Sequence, residues 1–189
     1  MALHELFNKY LNSLKETIAE LDQNELERVV KLLQEVQENA QRVFIFGNGG
    51  SAATASHLAC DLVKTAAVCG KPRLCAISLT DNVPIMTAIA NDYSYDDVFV
   101  KQMSILWKQG DLAIGISASG NSQNVLNAIN YAKDHGGKTI GFCGFGGGKL
   151  AEITDQNIIF SSCNYGIIED MHLVISHLIS EALNKHQQE

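Results

Sequence analysis

The sequence predicts a three-layer α/β fold: a doubly wound, five-stranded parallel sheet with helices on both faces and two extra helices at the N-terminus. Three observations predict it. Five short apolar runs are bounded by polar or glycine-rich residues, as expected of strands buried on both faces. Segments with a 3.6-residue apolar period lie between them, and this alternation of strand and helix gives a parallel sheet. Two further helical segments precede the first strand and have no strand of their own.

Taken in order, the first helix is expected over about 3–21, where Leu3, Leu6, Phe7, Tyr10, Leu11 and Leu14 share one stripe. A lone five-stranded domain leaves that stripe poorly covered, so it is read as an oligomer contact; the alternative is that it folds back on its own sheet. A second helix follows at 24–40. RVFIFG (42–47) is the first strand and 51–69 its helix. RLCAISL (73–79) is the second strand, followed by helical pieces at 84–91 and 95–108. DLAIGIS (111–117) leads to a helix at 122–136, and KTIGFCG (138–144) to the glycine loop GFGGGK (144–149), which either lines a site or serves as a flexible crossover. NIIFSS (157–162) and a helix at 166–185 close the chain. Phe44, Phe46 and Trp107 read as core. Pro72 and Pro84 fall at element edges, and no repeat or linker interrupts the pattern. The chain is therefore read as one domain, 1–189, with a helical oligomerisation segment (1–40) and a parallel α/β core (41–189).

Composition narrows the partners. A net charge of −7 argues against a nucleic-acid backbone or an anionic membrane as the main partner, since both select for surplus lysine and arginine. A local phosphate site stays open, because backbone N–H groups bind anions without basic side chains. No apolar run is long enough to span a bilayer, and the N-terminal stretch alternates charge with apolar residues, unlike a signal peptide. The five cysteines (Cys60, Cys69, Cys75, Cys143, Cys163) lack CxxC spacing and read as reduced core residues of a cytoplasmic protein.

In such a sheet ligands bind beyond the C-terminal ends of the strands. The loop after strand one is GNGGS (47–51). It matches a dinucleotide fingerprint only loosely and has no acid placed for a ribose, and no Gly-Lys-Ser/Thr follows, so no nucleotide cofactor is expected. The loop after strand three, SASGNS (117–122), puts serine hydroxyls and free N–H groups at a helix start, either as a phosphate cradle or as a plain serine cap. Between the loops and beyond, His57 and Asp61 stand at i, i+4 on one helix face, where both can reach one divalent ion. His172 is read as packing or interface.

Four stretches in order, GNGGSAATASHLACD, LTDNVPIMTAIANDYSYDDVFVKQ, GISASGNSQNV and EDMHLVISHLI, resemble the sugar isomerase (SIS) domain, a flavodoxin-like fold, and more narrowly its phosphoheptose isomerase group. The resemblance covers nearly the whole chain. It implies a homotetrameric cytoplasmic enzyme that interconverts sedoheptulose 7-phosphate and glycero-manno-heptose 7-phosphate. It implies that Ser51, Ser117, Ser119 and Ser122 bind the phosphate, with Asn48, Gly49, Gly50 and Asp92 nearby. It also implies that Asp61 matches the family's catalytic glutamate and His177 its histidine partner, and that His57 and Glu169 join them around a zinc ion; the cluster suits zinc and works equally as a metal-free acid–base group.

This sequence departs from the pattern at three positions. Asp61 is one methylene shorter than the family's glutamate, Glu169 replaces a glutamine, and Ala118 replaces a threonine in the serine loop. Either Asp61 or Glu169 can serve as base, a different phosphosugar can be the substrate, or catalysis can have been lost. The other function class is a non-catalytic SIS-domain tetramer that binds the bacterial replication initiator, which TDNVPIMTAIAND resembles equally well; four ionisable side chains, His57, Asp61, Glu169 and His177, favour the enzyme.

Overall fold

The structure, a computed structural model, describes residues 2–188. An N-terminal helical hairpin, α1 (Leu3–Ala19) and α2 (Gln23–Glu38), precedes β1 (Arg42–Gly47). There follow α3 (Gly50–Cys60), β2 (Cys75–Ser78), α4 (Val83–Asp92), α5 (Val100–Leu106), β3 (Leu112–Ile116) and α6 (Gln123–Asp134). The chain closes with β4 (Lys138–Cys143), α7 (Gly148–Ile153), β5 (Gln156–Ile159) and α8 (Tyr165–Gln188).

The five strands pair in parallel, as predicted, in the order β2-β1-β3-β4-β5. Strand order reverses between β1 and β3, where Gly47 pairs with Ile116, so the crevice beyond these two ends is the topological switch point. The two glycine- and serine-rich loops emerge there.

Period-2 alternation splits the core between the faces. Val43 and Ile45 of β1 join Leu58 of α3, Leu33 of α2 and Ile175 of α8 on one side. Phe44 and Phe46 face Met103 of α5 and Ile129 of α6 on the other. β3 is buried throughout, whereas the edge strands β2 and β5 are only partly covered. That partial cover corrects the strand limits: 73–79 and 157–162 shrink to four residues each, because an edge strand has one neighbour to pair with.

Other expectations change for local reasons. The helix expected over 51–69 stays α-helical only to Cys60, then widens into a π-turn over Asp61–Thr65, with Ala66 N–H bonding Asp61 O at 2.8 Å. The segment 95–108 breaks into a 3₁₀ turn at Tyr95–Asp97, capped by the Ser94 hydroxyl, and α5. α7 lies behind the glycine loop and was hidden by it. Four of the five cysteines are exposed and only Cys143 is buried, so they are unbridged but not core; Cys60 and Cys75 sit at the end of a helix and the start of an edge strand, where an apolar run still faces solvent. Trp107 is only half-buried, tilted against Phe44 and edge-on to Tyr131. His172 is fully buried packing beside Phe160. No helix among the described residues is long and apolar enough to cross a membrane.

The stripe on α1 divides. Tyr10 and Leu14 pack against the core, and the Tyr10 hydroxyl donates to Asp170 of α8 at 2.6 Å. Leu3, Leu6, Phe7 and Leu11 remain exposed, so α1 both folds back on its own domain and leaves an apolar edge.

Candidate active site

The turn from β1 into α3 is tight. A Cβ on Gly47 would stand 2.7 Å from Ile116 O, and Gly49, the residue before the helix, has φ +56°, a conformation that favours glycine. This turn brings Ser51, almost fully buried, to the start of α3. Asn48 is locked in place: its amide exchanges two hydrogen bonds of 2.9 Å with the Asn124 amide, and its carbonyl accepts a third from the Tyr95 hydroxyl at 2.8 Å.

The second loop faces it across the switch point. Ser122 is the residue before α6, yet its hydroxyl makes no capping bond and lies 3.0 Å from the Ser117 hydroxyl instead. A serine that only capped the helix would point at the first-turn N–H groups, and Ser122 does not. The Ser119 hydroxyl accepts from Asn121 N–H at 3.2 Å. Ser51, Ser117, Ser119 and Ser122 together with Asn48 line one cavity of about 170 Å³, and no lysine or arginine is among its lining residues. The glycine loop braces this wall from behind: Leu150 N–H bonds Gly120 O at 2.9 Å, and a Cβ on Gly120 would stand 1.9 Å from Gly147 O. It supports the site and does not line it.

The other half of the site lies further along α3. His57 Nε2 and His177 Nε2 are 2.8 Å apart, which requires one ring to donate and the other to accept. Asp61 Oδ2 lies 3.3 Å from His57 Nε2 and 3.9 Å from His177 Nε2, while its Oδ1 accepts from the Thr65 hydroxyl at 3.0 Å. Thr65 belongs to the π-turn, so the widened turn holds one carboxylate oxygen and leaves the other facing the imidazoles; single π-turns inside helices often mark functional positions. Ligating atoms of His57, Asp61 and His177 all lie within 4.8 Å of one another. Two imidazole nitrogens and one carboxylate oxygen form the donor set of a zinc site that keeps a position open for substrate, so these residues fit such an ion.

Two residues stand apart from where the family pattern sets them. Glu169 is outside the histidine cluster: its carboxylate lies over Gly50, where an added Cβ would come within 2.3 Å of it, and it lines the serine cavity. α8 is continuous from Tyr165, so the eight residues from Glu169 to His177 span about 12 Å. Asp92 ends α4, exposed, with its carboxylate accepting from Asn91 at 2.8 Å, and it does not line the cavity. Conversely, Asn124, Tyr95 and Thr65 hold site residues in place and carry no sequence signal of their own.

Comparison with known proteins agrees with this geometry. A family model described as the SIS domain matches residues 6–144. A phosphoheptose isomerase from Aliarcobacter butzleri is 43% identical over 176 residues, covering 90% of this chain and 91% of that protein. One from Helicobacter pylori (strain P12) is 40% identical over 180 residues, covering 95% of this chain and 93% of that one. The solved structure of a phosphoheptose isomerase from Francisella tularensis superposes with a TM-score of 0.89 at 29% identity, covering 98% of this chain and 100% of that chain. The serine cavity, the carboxylate–imidazole cluster and these likenesses together place the chain in the SIS-domain family and, within it, in the phosphoheptose isomerase group.

Proposed function

We propose that this protein is an aldose–ketose isomerase of phosphosugars that interconverts sedoheptulose 7-phosphate and D-glycero-D-manno-heptose 7-phosphate. One observation carries the reading: α3 joins a hydroxyl-lined cavity at its start to a carboxylate–imidazole cluster at its end. His57 lies seven residues beyond Gly50, about 10 Å along the helix, on the order of the reach from a terminal phosphate to the far end of an open seven-carbon sugar.

At the first end, Ser51, Ser117, Ser119 and Ser122 and the N-termini of α3 and α6 bind the phosphate dianion without a cation. At the second, Asp61 is the base. Its Oδ2, the oxygen that faces the imidazoles, takes the proton from C1 of the ketose, the electron pair moves into an enediolate, and the proton returns at C2 to give the aldose. Isomerisation also needs a proton moved between O1 and O2 and a ring opened first, and the hydrogen-bonded pair His57 and His177 is placed for both, since imidazole titrates near neutral pH. Glu169, with its carboxylate in the phosphate cavity, is not within reach of the imidazoles and is a poorer base by position. A zinc ion, when bound, would be held by His57, Asp61 and His177 and would polarise the sugar oxygens as a Lewis acid.

The reading carries with it a homotetramer in the cytoplasm; the exposed Leu3, Leu6, Phe7 and Leu11 on α1 support the assembly. Its test is turnover of sedoheptulose 7-phosphate, followed by NMR with zinc added and with a chelator. Aldose appearing under either condition supports it, and no product under both removes it.

A further inference from the structure

Tyr165, the first residue of α8, lines the serine cavity and has no part in the chemistry above. Its exposure places it at the rim: Ser51 and Ser117 are each 4% exposed and form the floor, whereas Tyr165 is 58% exposed. Glu169, one turn further along α8, lines the same cavity, so Tyr165 lies on the helix face turned toward the serines. Tyr165 also stands at the phosphate end. His177 is twelve residues further on, about 18 Å along an ideal helix, so an extended phosphosugar that reaches His177 meets Tyr165 only with its phosphate.

Exposed side chains at helix starts are ordinarily free to turn, and this one is held. The Asn164 side chain accepts from the Gly166 N–H at 2.9 Å and fixes the first turn of α8. The Phe145 ring packs on the Tyr165 ring, with centroids 4.9 Å apart and planes at 50°. Phe145 has φ +48°, a left-handed backbone that is costly for a residue with a Cβ. Glycine adopts it freely and fills positions 144, 146, 147 and 148 of the same loop, yet phenylalanine stands at 145. Two bonds set it there: Gly144 N–H to Ala118 O of the serine loop at 2.9 Å, and Phe145 N–H to Ser162 O at 3.0 Å. Backbone strain of this kind persists only where the surroundings over-determine it, and it gathers at ligand clamps. The Tyr10 and Tyr95 hydroxyls donate to Asp170 and Asn48, whereas the Tyr165 hydroxyl has no partner among the described residues.

On the phosphate-binding reading above, we infer that Tyr165 is a further phosphate-binding residue, its phenol O–H donating to a phosphate oxygen, and that Phe145 is the positioning residue that holds its ring at the rim. A cavity without lysine or arginine must hold a dianion with dipoles alone, so each added donor counts. A hydrogen bond to a charged acceptor is roughly twice as strong as one between neutral groups, and the phenol O–H is a more acidic donor than a serine hydroxyl. The serines hold the phosphate from the floor. Tyr165 covers it on the solvent side, where water would otherwise compete for the same oxygens.

The test is calorimetric binding of inorganic phosphate and of sedoheptulose 7-phosphate to the full chain, compared across Tyr165→Phe, Phe145→Gly, the two combined, and Ser119→Ala/Ser122→Ala. Tyr165→Phe removes the hydroxyl and keeps the ring, and Phe145→Gly suits the backbone and removes the brace. Tyr165→Phe is expected to weaken both ligands by the same factor, about tenfold. Phe145→Gly is expected to weaken both several-fold in the parent and neither in the Tyr165→Phe background, a coupling that a brace acting only on the fold would not produce. Parental affinity in Tyr165→Phe, with the serine variant weakened, overturns the inference and leaves the phosphate site standing. A Tyr165→Phe variant that loses affinity for the phosphosugar alone overturns it too, since the contact would then be to the sugar. Equal losses from Phe145→Gly in both backgrounds overturn the role of Phe145. A serine variant that binds both ligands as the parent does removes the phosphate site itself, and the inference with it.

Discussion

At the scale of single residues, the site divides into groups that do chemistry and groups that hold them. Asp61 is held by Thr65 on one oxygen and by imidazoles on the other, so Thr65→Val should lower turnover several-fold while leaving phosphosugar affinity unchanged, a split visible in kcat against KM. His172 does neither. It is fully buried against Phe160 with both ring nitrogens unpartnered among the described residues, and burial pushes its pKa down to about 4. The folded state therefore keeps it neutral while the unfolded chain protonates near pH 6.5, so its contribution is intact above that pH and lost as pH falls toward 4, by at most about 3 kcal/mol. Denaturant melts of the parent and of His172→Leu at pH 7.5 and 4.5 should show a smaller acid loss in the variant; parallel losses would reject the assignment. His57 and Asp61 were legible in the sequence because their spacing puts them on one helix face, and Ser117, Ser119 and Ser122 because they share one loop, whereas His177, 120 residues from His57, and Ser51 were joined to them only by the family resemblance. Asn124 and Tyr95 were not legible, because their contacts with Asn48 cross 76 and 47 residues of chain.

At the scale of elements, the strands and their parallel pairing followed from apolar runs alternating with helical periods, the strand order came only with the structure, and errors gathered where only one neighbour is present. β2 and β5 are edges and shorter than their apolar runs; α7 starts on the last of three glycines with positive φ, Gly146, Gly147 and Gly148, which read as a loop. Glu169 was placed with the histidines by family likeness, but an unbroken α8 sets them two turns apart. The glycine loop and the serine loop form one braced unit, in which Gly120 has φ +66° and touches Gly147 O. Gly120→Ala must push the two loops apart, and a loss of about 2 kcal/mol or more is expected from strain and overpacking together. Phosphosugar affinity should fall with it. A variant with parental melting temperature and affinity would show that the brace is not needed.

At the scale of the whole molecule, the exposed apolar edge of α1 is continuous with a groove between α1, α2 and α8 lined by Ile18, Leu21, Leu26, Val30 and Leu178. Leaving this much apolar surface in water is costly, and the assembly proposed above would remove it. Leu6→Asp/Leu11→Asp should dissociate the oligomer in light scattering at micromolar concentration, whereas a parent that is already monomeric there contradicts the assembly. We propose above that a phosphate held at the start of α3 presents the sugar carbons to Asp61 just beyond its end. The most direct measurement of this central claim is solvent deuterium exchange at C1 of sedoheptulose 7-phosphate and at C2 of the aldose formed from it, followed by NMR in the parent and in Asp61→Asn with zinc present and absent. The account predicts exchange at both carbons in the parent and, in Asp61→Asn, a fall of about a hundredfold or more with binding retained. A parent that exchanges neither carbon, or an Asp61→Asn variant that exchanges both at the parental rate, contradicts it.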